Sequence, residues 1–177
     1  MILRKKKLID GYNKTAESYD ELYFNEQMEK YKFALKALDF SLKGRRIGDF
    51  GCGTGLFLKA INPEVELVGV DFSLKSLQLA REKGYRHVVL ADIEKPPFRK
   101  HVFDAIFLFT VIHHLYSPIG TTERLVHLSK RILVLSVLKK DETEILVRNL
   151  LNKFRKAQIS NSSKVKDVIF IIRRSFR

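Results

Sequence analysis

Cysteine is almost missing from this 177-residue chain: Cys52 is the only one. An intramolecular disulfide is therefore excluded, and the composition fits a reducing, cytoplasmic setting. Long apolar runs are also missing. The longest nearly continuous one, Ala105 to Ile112, is less than half of what a bilayer-spanning helix requires, so no membrane association is expected. The basic opening Met1 to Lys7 is followed by no apolar stretch of signal-peptide length. No Pro-rich tract, internal repeat or low-complexity segment interrupts the pattern, and no linker is visible. The five histidines show neither His-x-x-x-His nor cysteine-paired spacing, so no metal is expected. Negative charge is the scarce sign, with 20 Asp and Glu against 33 Lys and Arg.

What is present suits one globular domain spanning residues 1–177, since 45% of the residues are hydrophobic and 30% charged. The most informative segment is Asp49-Phe50-Gly51-Cys52-Gly53-Thr54-Gly55. Arg46 to Phe50 reads as a short buried strand and Leu56 to Ile61 as a helix start, which places the glycines in a strand-to-helix turn. Glycine there permits positive φ and lets a ligand touch backbone. The next apolar run, Glu66 to Val70, ends in Asp71, where a carboxylate can accept both hydroxyl hydrogens of a ribose. A carboxylate at Asp49 would repel a pyrophosphate but attract an ammonium group, and the third glycine comes one residue too early for a dinucleotide fingerprint.

In these residues the chain resembles the class I S-adenosylmethionine-dependent methyltransferases, whose first motif reads acidic-x-Gly-x-Gly-x-Gly. The resemblance implies S-adenosyl-L-methionine as cofactor and S-adenosyl-L-homocysteine as product. His87 to Ile93 is similar to the family's third strand, which implies that Asp92, beside Ile93, reads the adenine. Val102 to Leu115, with its His113-His114-Leu115 ending, resembles the fourth strand and turn of a quinone-biosynthesis-like subgroup. Tyr12 to Asp20 resembles the lid helix of that subgroup, making Tyr19, and with it Tyr12, a candidate cofactor contact. The full cofactor set implied is Tyr19, Asp49, Gly51, Cys52, Gly53, Gly55, Asp71, Phe72, Asp92, Ile93 and Thr110. Cys52, between two glycines, is read as packing the loop rather than as a nucleophile.

Helices are predicted at about 12–20, 24–42, 55–61, 73–83, 118–129 and 142–156, and strands at about 46–50, 66–70, 87–91, 103–109, 131–138, 156–160 and 166–173. Alternating strands and helices make an α/β, Rossmann-like fold. The resemblance implies a seven-stranded, mostly parallel sheet of order 3-2-1-4-5-7-6 with the last strand antiparallel and helices on both faces. Residues 1–42 are expected to form lid helices and 43–177 the core.

Methyl transfer to an activated sulfonium ligand demands alignment and exclusion of water more than acid-base groups. His114 is the candidate if a base exists, since imidazole can take a proton near neutral pH. The turn after the fourth strand lacks the Asn/Asp-Pro-Pro-aromatic sequence of exocyclic-amine methylases, which argues against that branch. From Arg124 onward fourteen Lys and Arg face four acids, a surplus of ten out of the total thirteen. Such a field attracts polyanions, and RNA, as tRNA or rRNA, is the expected acceptor. The rival expectations are a small-molecule acceptor of the quinone-biosynthesis-like type and a non-catalytic nucleoside-binding module assisting a partner. The short connections also suit a chain that borrows contacts from a small activator subunit.

Overall fold

The structure is a computed structural model and describes residues 2–174, so Arg177 of the basic tail lies outside the described residues. One long helix, α1 (Ile2–Lys36), opens the chain. It replaces the two helices expected at about 12–20 and 24–42. No proline or glycine stands between Tyr12 and Lys36, so nothing interrupts the backbone ladder. Gln27, Lys30, Tyr31 and Ala34 recur at helical spacing and are buried, so the sheet side of α1 is set by that stripe.

The strands are β1 (Arg46–Phe50), β2 (Glu66–Asp71), β3 (His87–Leu90), β4 (Phe103–Leu108), β5 (Ser129–Leu138), β6 (Gln158–Ser160) and β7 (Asp167–Arg173). They form one sheet of order β3-β2-β1-β4-β5-β7-β6. Pairing from β3 through β5 is parallel, and β7 runs antiparallel to both β5 and β6. This is the Rossmann-like sheet expected from the sequence.

Helices α2 (Leu74–Glu82), α3 (Pro118–Leu128) and α4 (Glu144–Lys153) complete the layers. The helix expected at about 55–61 is instead a single 3-10 turn, Leu56–Lys59. Pro63 follows too soon for a longer helix, because the residue before a proline is pushed out of the α region. Because α4 ends at Lys153, Arg155 and Lys156 fall in the turn after it rather than on the helix.

Ala105 to Leu108 are buried on both faces of the sheet, which is why they read as an unbroken apolar run. Phe107 packs in the cluster with Tyr31, Phe57 and Leu77, under α1 and α2. Ile106 and Leu108 face the other way, into the cluster of Leu125, Leu133 and Leu150 under α3 and α4. Alternation along one strand thus feeds two cores. From β1 the chain moves outward to β2 and β3, then crosses to β4 on the other side, so the loops at the carboxyl ends of β1 and β4 diverge and leave a crevice. No helix among the described residues is long and apolar enough to cross a membrane.

Candidate active site

A cavity of about 380 Å³ lies in that crevice, roofed by α1. Its floor is the loop after β1, where Gly51 and Gly53 adopt φ of 77° and 52°. At Gly51 a Cβ would lie 2.4 Å from Val111 Cγ2, so both the left-handed backbone and the close approach of the turn after β4 require glycine. Gly55 is different. Its φ of 84° is also left-handed, but its neighbours are Ala80 and Tyr85, so it packs α2 and does not line the cavity.

Asp71 closes β2 as a buried carboxylate. Its Oδ2 accepts the Gly53 N–H at 2.9 Å and its Oδ1 the Ser73 N–H at 2.9 Å. The carboxylate keeps acceptor capacity beyond these backbone bonds, and the residue lines the cavity. Burial raises its pKa, and the backbone donors oppose the rise. Asp49 sits beneath the glycine loop and does not line the cavity; Tyr85 donates to its Oδ2 at 2.5 Å. Burial pushes its pKa up to about 7, the Tyr85 bond resists, and Asp71 adds to the rise. Burial likewise pushes the Cys52 thiol well up, which removes thiolate nucleophilicity.

After β3, Asp92 and Glu94 line the far end of the cavity, and Lys5 of α1 spans them at 2.5 and 2.7 Å. Burial opposes charge on both acids, but the Lys5 bonds prevail and hold their pKa values below the usual range. Further along α1, the Tyr12 hydroxyl lies 3.1 Å from His114 Nε2. Asn13 accepts from Ser73 at 2.6 Å, and Asp20 accepts from Thr54 and Lys83. Polar contacts therefore pin the roof along much of its length. Thr110, at φ 57°, receives a hydrogen bond from the buried Lys30 at 2.6 Å, and Lys30 also pairs with buried Asp167 at 3.1 Å.

Of the residues expected to hold a cofactor, the structure brings Tyr19, Gly51, Cys52, Gly53, Asp71, Phe72, Asp92, Ile93 and Thr110 into one cavity, together with His114 and Tyr12. Asp49 and Gly55 support the loop from behind. Lys5 and Glu94 were missed, because the run Arg4 to Lys7 reads as a solvated charge cluster. A signal was present: Lys5, Leu8, Ile9, Tyr12, Ala16 and Tyr19 recur every three to four residues, and all line the cavity. His113 lies beside His114 with its Nδ1 buried and without a partner; burial lowers its pKa to about 4, so it is neutral at physiological pH.

Residues 48–134 match the family model of a methyltransferase domain. That segment, just under half of the chain, is similar to methyltransferase domains. The chain's fold is the Rossmann-like one of solved methyltransferases. A methyltransferase of Haloferax volcanii, solved in complex with the Trm112 methyltransferase activator, superposes with a TM-score of 0.74 at 14% identity, covering 90% of this chain and 96% of that one. Magnesium protoporphyrin IX methyltransferase from Synechocystis, solved with bound S-adenosylhomocysteine, gives 0.71 at 16% identity over 97% and 100% of the two chains. A Bos taurus protein named "Probable tRNA methyltransferase 9B" is 35% identical over 112 residues, which are 63% of this chain and 23% of that protein. The chain spans less than half the length of the first curated relatives it matches.

The cavity suits an adenosyl ligand in the chemistry of its lining. Ile9, Phe72, Leu90 and Ile93 give apolar walls for a planar base, Asp71 and Asp92 give acceptors for hydroxyl and amino hydrogens, and the glycine floor admits close backbone approach.

Proposed function

We propose that the protein is an S-adenosylmethionine-dependent methyltransferase acting on RNA, either tRNA or rRNA. The observation that carries the reading is a single cavity at the β1/β4 crevice combining the glycine loop, Asp71 and Asp92 within a matched methyltransferase domain. In this reading Asp71 holds the ribose, Asp92 and Ile93 the adenine, Phe72 the nucleoside face, and Gly51, Cys52 and Gly53 the amino-acid end. Tyr19 and Thr110 close the cavity beside the transferred group, and the whole of α1 shuts out water. Asp49 acts through the loop, fixing it from below with Tyr85. When bound, S-adenosylmethionine supplies a methyl group already activated as a sulfonium and leaves as S-adenosylhomocysteine.

His114 is the one cavity histidine, and the Tyr12 hydroxyl orients its ring. In that position it takes a proton from an acceptor that must lose one. The basic surplus of the last third and the name of the Bos taurus relative support RNA. Part of that surplus is internally paired: Lys153 with Glu123, Lys166 with Glu26 and Arg173 with Asp39. The likeness to a methyltransferase solved with Trm112 supports a small activator subunit, and the lone cysteine supports a cytosolic setting. A second reading, a small-molecule acceptor of the quinone-biosynthesis-like type, is favoured by the His113-His114-Leu115 turn at the cavity mouth.

Titration calorimetry with S-adenosylmethionine and S-adenosylhomocysteine tests the first half; saturable binding of both is expected, and binding of neither rejects the enzyme. Incubation with methyl-labelled cofactor and either total RNA or a metabolite extract tests the second. Label is expected in the RNA, and label confined to small molecules selects the rival acceptor.

A further inference from the structure

A second cavity, of about 720 Å³, adjoins the first on the β5/β7 side. Tyr12, Tyr19, Gln27 and Thr110 line both. Those four side chains form the boundary that the two cavities share. The remaining walls differ in chemistry. On the α1 side the rings of Tyr19 and Tyr23 lie 4.9 Å apart, and Tyr23 is 43% exposed. On the opposite side Lys139, Lys140 and Lys166 line the rim, against the single carboxylate of Glu26.

The lysines are placed rather than loose. Lys139 Nζ donates to the carbonyls of Ser162 and Val165 at 2.7 and 2.6 Å, which leaves one of its three hydrogens for a ligand. Lys166 meets Glu26 at 2.6 Å, and Lys140 makes no ion pair among the described residues. The cavity is thus aromatic on one wall and net cationic on the other. A planar base stacks on tyrosine, as in single-stranded nucleic acid recognition, and a phosphate seats against ammonium groups. An acyl or acidic peptide ligand would use the lysines and leave the ring faces unused.

We infer that the second cavity takes the acceptor nucleotide of the RNA, its base against Tyr19 and Tyr23 and its phosphate at Lys139, Lys140 and Lys166. This rests on the methyltransferase reading above and adds where the acceptor lies and what holds it. The arrangement puts the base next to Thr110 and Tyr12, and hence beside His114, whereas the cofactor reaches the same place from the glycine loop.

The test uses the full chain saturated with S-adenosylhomocysteine, so that the first cavity is filled, and follows a fluorescein-labelled uridine hexanucleotide by anisotropy. Saturable binding is expected. Tyr23→Ala and Lys140→Glu, both at exposed positions outside the first cavity, are each expected to weaken it at least tenfold and to leave S-adenosylhomocysteine affinity within about twofold. Lys140→Glu should also flatten the salt dependence by about one ion. A hexanucleotide carrying 4-thiouridine should crosslink to Tyr19 or Tyr23. Unchanged affinity in both variants, or crosslinks confined to other surfaces, overturns the inference and leaves the methyltransferase reading standing. Displacement of the hexanucleotide by an equal concentration of a polyglutamate peptide overturns it in favour of an acidic protein acceptor. Failure of S-adenosylhomocysteine itself to bind removes both readings.

Discussion

Lys5, in the second turn of α1, lies 2.5 Å from the Oδ2 of Asp92, at the opposite end of the cavity from the glycine loop. The first turns of the roof are thereby fastened to the group proposed to read the adenine. Both side chains remain partly exposed, so the contact is salt-sensitive and contributes no more than about 1 kcal/mol. Lys5→Met is expected to raise amide hydrogen exchange in the first turns of α1 and to remove the effect of added salt on that exchange. Equal protection in the two proteins at low salt would show that packing of Leu8 and Ile9 alone holds the roof.

Asp71, proposed to hold the ribose, also accepts from the glycine loop at Gly53. Asp71→Ala leaves the N–H groups of Gly53 and Ser73 without their acceptor, costing about 1–3 kcal/mol per buried orphan. Calorimetry is expected to show at least a tenfold loss of cofactor affinity. An unchanged dissociation constant would reassign the ribose to another residue.

The Asp49–Tyr85 pair should set a pH dependence of stability. The carboxyl titrates near pH 7 in the folded chain, against an ordinary value of 3.8. The folded state therefore holds the proton more tightly than the unfolded one. Stability from this group is full below about pH 4 and is lost as pH rises through about 7. Urea midpoints measured at about pH 5 and about pH 8 should show the native protein weaker at the higher pH, and Asp49→Asn should shrink the difference. Tyr85→Phe removes the donor that favours the ionised form and should move the loss to higher pH. Identical midpoints in the native protein would refute the raised value.

Lys30 and Asp167 join α1 to β7 as fully buried charges. Removing one leaves the other uncompensated, a loss of about 3–5 kcal/mol, whereas removing both restores much of it. The expected pattern in urea unfolding is a large loss for Lys30→Met and partial recovery for Lys30→Met with Asp167→Leu. Strict additivity of the two single losses would mean that the charges do not interact.

His114→Ala should slow methyl transfer by about 10²–10⁴-fold if the acceptor must lose a proton. Cofactor affinity should change by less than about threefold. A rate within twofold of the native enzyme would give the turn a purely structural role.

The strands were legible because their signals are local, whereas their order in the sheet followed from the family resemblance. Apolar runs of strand length, glycines at fixed offsets and an acid closing β2 each report on a few neighbouring residues. The two misreadings of helix, at α1 and after Gly55, came from competing local rules: an assumed break near Glu21 that no residue enforces, and a helix start that Pro63 cuts short. The cavity lining was legible in its loop residues and, through the lid-helix resemblance, in Tyr12 and Tyr19 of the roof, but not in the roof's first turns. Lys5 looks like any member of a basic run, and only the packing of α1 brings it to Asp92.

The sequence by itself determined the succession of strands along the chain, the glycine floor and the acids at the strand ends, because backbone freedom and hydrophobic alternation act over short distances. Tertiary structure decided what each acid faces. Asp49 and Asp71 both flank the glycine loop, yet one is turned under it toward Tyr85 and the other lines the cavity, a difference set by contacts between residues far apart in the chain. Both carboxyls are buried and burial raises the pKa of each, but the Tyr85 hydroxyl opposes the rise at Asp49 and backbone N–H groups oppose it at Asp71.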